Sequence, residues 1–407
     1  MKALQVCENL YWVGALDTDL RVFDIIMTTP YGTSYNSFLL KTTEGNILFE
    51  TVKEEFASEC LSRVSDVIGS EPIDYIVLNH TEPDHSGSLV HILEKYPNAT
   101  IIATKAALTN IKYIGHITNQ TKTIETNKLN QFTLGQYTLN FYLQPFLHWP
   151  DTMMTVIDEL KVLLPCDVFG AHCADERVFN DLMEDRIKDM DDAYKHYFDC
   201  IFGPFKSFVL KGINIIENEI GFGIDELNAI CCSHGPVLRK NIRENIERYR
   251  QWSQPPVLKD QVVIAYGSAY GYTEMMAKKI KEGVEAAGCE VKLHNIVTSS
   301  VETILKDFEE SKGMLLGTPT LVGEALPPMY IILAHLNPII HCHRYLQCFG
   351  TYGWSAEGVT NLSVRVNQLK MKSPVEPLKV RFKPTEEKLM ECFEWGKTFA
   401  LAMKENK

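Results

Sequence analysis

The 407 residues contain no C-x-x-C, although there are 11 cysteines. The nearest cysteine neighbours are the adjacent Cys231 and Cys232 and the pair Cys342 and Cys348. That scatter excludes a zinc ribbon, an iron–sulfur cluster and a disulfide framework, and it fits thiols kept reduced inside a cell. No stretch approaches the ~20 apolar residues of a membrane span. The first residues, M-K-A-L-Q-V-C-E, turn acidic too soon for a signal peptide, so a cytoplasmic, soluble protein is expected. No run rich in Lys and Arg stands out against a formal net charge of −12. Neither nucleic acid nor an anionic membrane is therefore an expected partner. Internal repeats and low-complexity segments are absent as well.

What is present is the material of a large globular core, since 45% of residues are hydrophobic. A chain of this length predicts two domains. Its first part carries short strand-like runs at residues 10–13, 37–40 and 46–49, the last two forming a hairpin across Thr42-Thr43-Glu44-Gly45. Helical spacing of Phe56, Cys60, Val64 and Ile68 follows. Strands are predicted at 75–78, 101–103, 132–134, 139–143, 161–164 and from 230, with mainly helical sequence over 176–220. Paired prolines cannot continue a helix, so Pro255-Pro256 marks the boundary between domains 1–254 and 257–407. Beyond it, strands at 262–266, 291–293, 313–316 and 348–350 alternate with helices, which implies an α/β domain with a parallel sheet.

The chemistry concentrates in Y-I-V-L-N-H-T-E-P-D-H, residues 75–85. A buried strand ends at Asn79, and His80, Glu82, Asp84 and His85 follow within six residues. Such side chains at the end of a buried strand are costly without a partner, and a metal is the simplest one. Three more candidates follow later strands: His148 in F-L-H-W-P-D, Asp167 in L-P-C-D-V-F-G and His234 in S-H-G-P. Their number exceeds what one zinc takes and suits two metals bridged by a carboxylate. An oxygen ligand at Glu82 moves the preference from zinc toward iron or manganese. Asp151 and Trp149 are candidates to support His148, with turn initiation an equal role for Asp151. His91, His116, His172, His196, His341 and His343 lack ligand-like context, and Tyr197 lies on a helical stretch.

Residues 1–250 resemble the metallo-β-lactamase fold, whose zinc hydrolases carry H-x-H-x-D-H; here Glu82 stands at the second histidine. Together with F-L-H-W-P-D, D-V-F-G-A-H and S-H-G-P, that replacement resembles the flavodiiron proteins over essentially the whole chain. The resemblance implies an N-terminal metallo-β-lactamase-like αββα sandwich followed by a flavodoxin-like doubly wound parallel sheet. Carried over residue by residue, His80, Glu82 and His148 match the ligands of one iron, and Asp84, His85 and His234 those of the other. Asp167 matches the bridging carboxylate. In some members the counterpart of His85 turns away from the metal.

In the second domain, strand 262–266 runs into Gly267-Ser268-Ala269-Tyr270-Gly271-Tyr272-Thr273 and a helix. Small and hydroxylated residues at a helix N-terminus offer N–H groups to a phosphate. The loop lacks G-x-G-x-x-G and G-K-[ST], which points to a mononucleotide. Its spacing is similar to the phosphate loop of flavodoxins. Two further loops, Pro319-Thr320-Leu321 and Thr351-Tyr352-Gly353-Trp354, resemble those that hold the flavin ring, making FMN the expected cofactor.

The family resemblance implies reduction of O2 to water, or of nitric oxide to nitrous oxide, at a non-haem diiron site fed by FMN, with the oxygen reaction preferred. A dizinc hydrolase fused to a flavodoxin domain and an electron carrier with a vestigial metal site are the rivals. No paired C-x-x-C follows residue 407, so an external donor is expected: a rubredoxin, a reduced deazaflavin or a flavin reductase. A head-to-tail homodimer or a homotetramer is the implied assembly.

Overall fold

Alternation along the strands sets the layers of the N-terminal part. In the computed structural model, Phe38, Leu40, Ile47, Phe49, Val77 and Ile102 face one core, while Leu39, Leu48, Ile76, Leu78, Ile101 and Ala103 face another. Successive residues of a strand point to opposite faces, so the same strands line both cores. The structure describes residues 1–115, 117–118 and 120–405; His116 lies outside the described residues. Among them the chain divides into two units, Met1–Gln254 and Pro255–Lys407.

The first sheet of unit one has the order Leu4–Cys7, Leu10–Trp12, Phe38–Lys41, Asn46–Phe49, Tyr75–Leu78, Thr100–Ala103 and Thr123–Glu125. Its first four strands are antiparallel, and its last four run parallel. The second sheet runs Gln131–Leu134, Tyr137–Leu143, Met153–Ile157, Val162–Leu164 and Ala229–Ile230, parallel only in the last pair. Leu139, Phe141, Met153, Ile157, Val162 and Leu164 meet the first sheet across a shared core. Helices Ala57–Ile68, Leu89–Lys95 and Lys105–Ile114 cover the outer face of the first sheet. Helices Ile187–Tyr197, Lys206–Asn218 and Ile242–Trp252 cover that of the second. The result is an αββα sandwich.

The parallel strands of each sheet deliver their following loops to a common edge. Glu50, Asn79 and Thr104 follow three of them, and Asn79 ties the two sheets together. Its N–H donates to Glu50 Oε1 (2.8 Å), its carbonyl accepts from Met153 N (2.8 Å), and its side-chain oxygen accepts from Thr155 Oγ1 (2.6 Å). This seam fixes where residues 80–85 begin.

Unit two is a five-stranded parallel sheet ordered Glu290–Asn295, Lys259–Tyr266, Ser311–Pro319, Tyr345–Tyr352 and Leu378–Arg381. That is the 2-1-3-4-5 order of a doubly wound flavodoxin-like sheet. Both of its faces are packed by helices, Val263, Ala265, Met314 and Leu316 on one side and Val262, Ile264 and Leu315 on the other. The expected fold class is therefore the observed one. Strands not anticipated include Leu4–Cys7 and Thr123–Glu125 in the first sheet, Met153–Ile157 in the second and the edge strand Leu378–Arg381 of unit two. Among the described residues no helix is long and apolar enough to cross a membrane, and all 11 cysteines are free thiols.

Candidate metal centre and flavin loops

All seven predicted ligand side chains converge at the strand-end edge of unit one. They fall into two groups, His80 with Glu82, His148 and Asp167, and Asp84 with His85 and His234. In the first, Glu82 Oε2 lies 3.2 Å from His80 Nε2 and 3.1 Å from His148 Nε2. In the second, Asp84 Oδ2 lies 2.9 Å from His234 Nε2 and 3.4 Å from His85 Nε2. Asp167 stands between them and divides its oxygens. Oδ2 is 3.7 Å from His80 Nε2 and 3.5 Å from His148 Nε2, while Oδ1 is 3.1 Å from His85 Nε2 and 3.6 Å from His234 Nε2. His85 thus turns toward the cluster.

Asp167 follows Val162–Leu164, and His234 follows Ala229–Ile230, which pair in parallel, so both leave their sheet on the same side. Residues 82–86 are placed by Glu82 at the entry to the short helix Pro83–Ser86, whose proline starts the turn. His234 Nδ1 donates to the carbonyl of Ser34 (2.7 Å), which leaves Nε2 facing Asp84. Asp151 departs from its expected place. Its Oδ1 lies 3.5 Å from His80 Nδ1, not against His148, and its Oδ2 accepts from Thr81 N (3.0 Å) and Thr81 Oγ1 (2.5 Å). A hydroxyl that is itself held by Asn110 Nδ2 (3.0 Å) therefore aims Asp151 at His80. Trp149 stands edge-on to His80 with ring centroids 5.1 Å apart.

The cluster is buried and strongly charged. Burial opposes charge on His80, His85 and His148, yet the surrounding carboxylates overcome it and push each ring up to about 10. Burial likewise opposes charge on Asp167, and His85, His148 and His80 hold it well below the usual carboxylate range. Protons on the rings stand where a cation balances the acids. His85 Nδ1 and Nε2, His80 Nδ1 and Asp84 Oδ1 are buried without a hydrogen-bond partner. Unpaired buried polar atoms of this kind are costly, and a mixed nitrogen and carboxylate set around a shared carboxylate fits two metal ions.

Sequence reasoning missed two neighbours. Glu50 is buried at the end of Asn46–Phe49, and burial pushes its carboxyl up to about 8. Its signal was available, an acid directly after an apolar strand, as at His80. His172 lacked ligand-like context but is buried between Phe23 (ring centroids 4.4 Å), Tyr197 (4.8 Å) and His234 (5.1 Å). Its Nδ1 is 2.8 Å from Thr33 Oγ1, and burial with the nearby His234 holds the ring well below its usual range, hence neutral. Tyr197 donates its hydroxyl to Asp167 Oδ1 (3.1 Å). A cavity of about 220 Å³ beside Phe23, Asp24, Tyr35, Lys53, Glu82 and Asp84 opens the acidic side of the cluster to solvent.

In unit two the three expected loops lie at the ends of Lys259–Tyr266, Ser311–Pro319 and Tyr345–Tyr352, three neighbouring strands of the sheet, and Pro319, Thr351 and Tyr352, expected in loops, are the closing residues of the last two strands. Gly271 enters the helix Tyr272–Ala286 at φ 79, a left-handed turn open to glycine, and as the cap residue it offers no side chain to the helix end. Ser268 Oγ accepts from Glu274 N (3.3 Å), while Ala269 and Tyr270 are exposed. Thr273 and Thr351 are buried with hydroxyls 2.8 Å apart, tying the first loop to the third. Thr320 Oγ1 is buried without a partner, and Leu321 in the second loop and Trp354 in the third stand exposed, Trp354 at 79%. Pro319 is buried, and Tyr352 and Gly353 are half-buried. A helix N-terminus entered through a glycine, in the same unit as exposed aromatic and apolar loop side chains, fits the phosphate and ring of a flavin.

These features are those of a two-domain oxidoreductase with metal and flavin sites on separate units. The model for ODP family beta lactamases matches residues 33–202 and the flavodoxin model residues 264–396. A flavo-diiron protein of Clostridium acetobutylicum is 34% identical, over 98% of this chain and 99% of its own. A nitric oxide reductase of Moorella thermoacetica is 32% identical over 97% of each. The solved rubredoxin oxygen:oxidoreductase of Desulfovibrio gigas is 27% identical over 99% of each chain, with a TM-score of 0.67. The chain belongs to the flavodiiron protein family. It is an oxidoreductase, and its cofactors are FMN and a pair of irons.

Proposed function

We propose that this protein reduces O2 to water at its diiron site with electrons relayed through FMN. His80, Glu82 and His148 hold one iron, Asp84, His85 and His234 the other, and Asp167 bridges them. The observation that carries this is the division of the Asp167 carboxylate, one oxygen toward each group of donors. Ser268, Ala269, Tyr270, Gly271, Tyr272 and Thr273 take the flavin phosphate. Pro319, Thr320, Leu321, Thr351, Tyr352, Gly353 and Trp354 border its ring.

When bound, the irons and the flavin supply electrons and open positions for a diatomic substrate. The protein supplies the rest. Asp167 keeps the two halves of the site in register, and the Tyr197 hydroxyl holds the carboxylate in place. Burial of His80, His85 and His234 excludes water from the inner wall, which strengthens every electrostatic contact there. Reduction of O2 consumes a proton for every electron, and the cavity beside Asp24 and Lys53 admits both substrate and protons.

Reduction of nitric oxide is the second reading, favoured by the Moorella relative's name. A rubredoxin is the preferred external donor because the Desulfovibrio neighbour is named for one; a reduced deazaflavin or a flavin reductase serves the same step. The working form is a cytoplasmic head-to-tail homodimer or a homotetramer. Steady-state consumption of O2 and of NO by purified protein with a chemically reduced donor tests the assignment. Faster O2 turnover supports it, NO turnover alone replaces it with the second reading, and neither activity refutes both.

A further inference from the structure

Two helices of unit one line a slot without filling it. Ile187, Met190, Asp191 and Tyr194 recur at the spacing of one face on Ile187–Tyr197, and Asn241, Glu244, Asn245 and Arg248 do so along Ile242–Trp252 and its entry. Between these faces lies a cavity of about 140 Å³. Ile187, Met190 and Tyr194 make one wall largely apolar, while Asn241, Glu244 and Asn245 make the other polar. Two ion pairs join the walls, Lys240 with Glu184 and Arg248 with Asp191, at 2.5 Å each. Buried Phe169, Ala171 and Leu238 close the inner end. Two polar groups are left over. Glu244 is exposed and makes no salt bridge among the described residues. Tyr194 is only 6% exposed, and its hydroxyl is buried without a hydrogen-bond partner. None of the seven proposed iron ligands lines this cavity, and it shares no residue with the one beside Glu82 and Asp84.

We propose that the cavity binds a one-ring aromatic amine whose ring carries a hydrogen-bonding group at the end opposite the amine. Size sets the ring, since a cavity of about 150 Å³ is enough for benzene. Charge sets the amine. The two ion pairs cancel, and Glu244 leaves one negative charge at the mouth. The unspent hydroxyl sets the far group. A buried polar group without a partner is costly, and a ligand that bonds Tyr194 recovers that cost on binding. The ring lies against Met190, Tyr194 and Phe169, and the ammonium stays in water beside Glu244.

Anaerobic calorimetric titrations of the FMN- and iron-loaded protein with tyramine, phenethylamine and p-cresol test each part of the ligand separately. Tyramine carries the ring, the amine and the phenol; phenethylamine lacks the phenol, and p-cresol lacks the amine. Tyramine is expected to bind tightest of the three. Tyr194→Phe removes only an unpartnered hydroxyl, so it is expected to weaken tyramine by about five- to tenfold and to leave phenethylamine unchanged. Glu244→Gln is expected to weaken both amines by up to about fivefold, as for an exposed ion pair, and to leave p-cresol unchanged. Melting temperature and iron content stay at wild-type values in both variants, which separates lost binding from lost folding. Absence of saturable tyramine binding to the wild-type protein would overturn the site. Tyramine binding that neither substitution alters, or p-cresol binding as tight as tyramine, would overturn it as well. Each of these failures leaves the diiron assignment standing.

Discussion

Asp151→Asn isolates the support of the first iron. In the native protein Asp151 spends one oxygen on Thr81, through its N–H and hydroxyl, and aims the other at His80 Nδ1. An asparagine keeps its carbonyl oxygen on Thr81, so the local fold survives, and places an NH2 where His80 needs an acceptor. Two donors then face each other, and His80 escapes only by moving its proton to Nε2, the nitrogen that lies among Glu82 and Asp167. Burial opposes charge on Asp151, yet His80 and Thr81 hold its carboxyl below the usual range, so the native carboxylate is ionised and the change removes a full charge. Loss of such a partner weakens metal binding by about 10–100-fold, or about 1.4–2.7 kcal/mol. Competition between the protein and a ferrous chelator under anaerobic conditions reads this directly. The expected outcome is selective loss of the iron held by His80, Glu82 and His148, with thermal stability of the FMN-loaded protein changed little. Wild-type affinity at both sites in Asp151→Asn would refute the reasoning.

Two further outcomes follow from the same geometry. Glu82→His converts an oxygen donor shared by His80 and His148 into a nitrogen, which favours zinc; iron content is expected to fall and O2 consumption to vanish, and full activity with unchanged iron contradicts the assignment. In metal-free protein prepared by chelation, the raised values of His80, His85 and His148, about 10 against an ordinary 6.5, mean that their protonated forms favour folding. That stabilisation is complete below pH 6.5 and is lost as pH rises toward about 10, so the melting temperature of the apoprotein falls over that window while apparent iron affinity rises, because the metal displaces those protons. Thermal melts and ferrous titrations at several pH values check both signs, and a flat response in each removes the claim.

The motif at residues 75–85 was legible because a buried strand and its polar exit are both local signals: Tyr75–Leu78 has the apolar length of a strand, and the acids and histidines begin at once. The parallel order of unit two was legible from strand–helix alternation. Met153–Ile157 was not, since all five residues are buried and no alternation marks them. Leu378–Arg381 escaped notice as a short, half-exposed edge strand. The partners of the histidines were least visible. Asp151 lies three residues from His148 but serves His80, seventy-one positions away, because the two sheets are stitched together at Asn79. Glu50 and His172 owe their places to the same packing of layers, which no local pattern encodes.

Metal and flavin analysis of purified, catalytically active protein tests the central claim most directly. The account predicts about two irons per flavin, with zinc absent, and a spectroscopic signature of two coupled irons. Active protein that holds zinc without iron contradicts it.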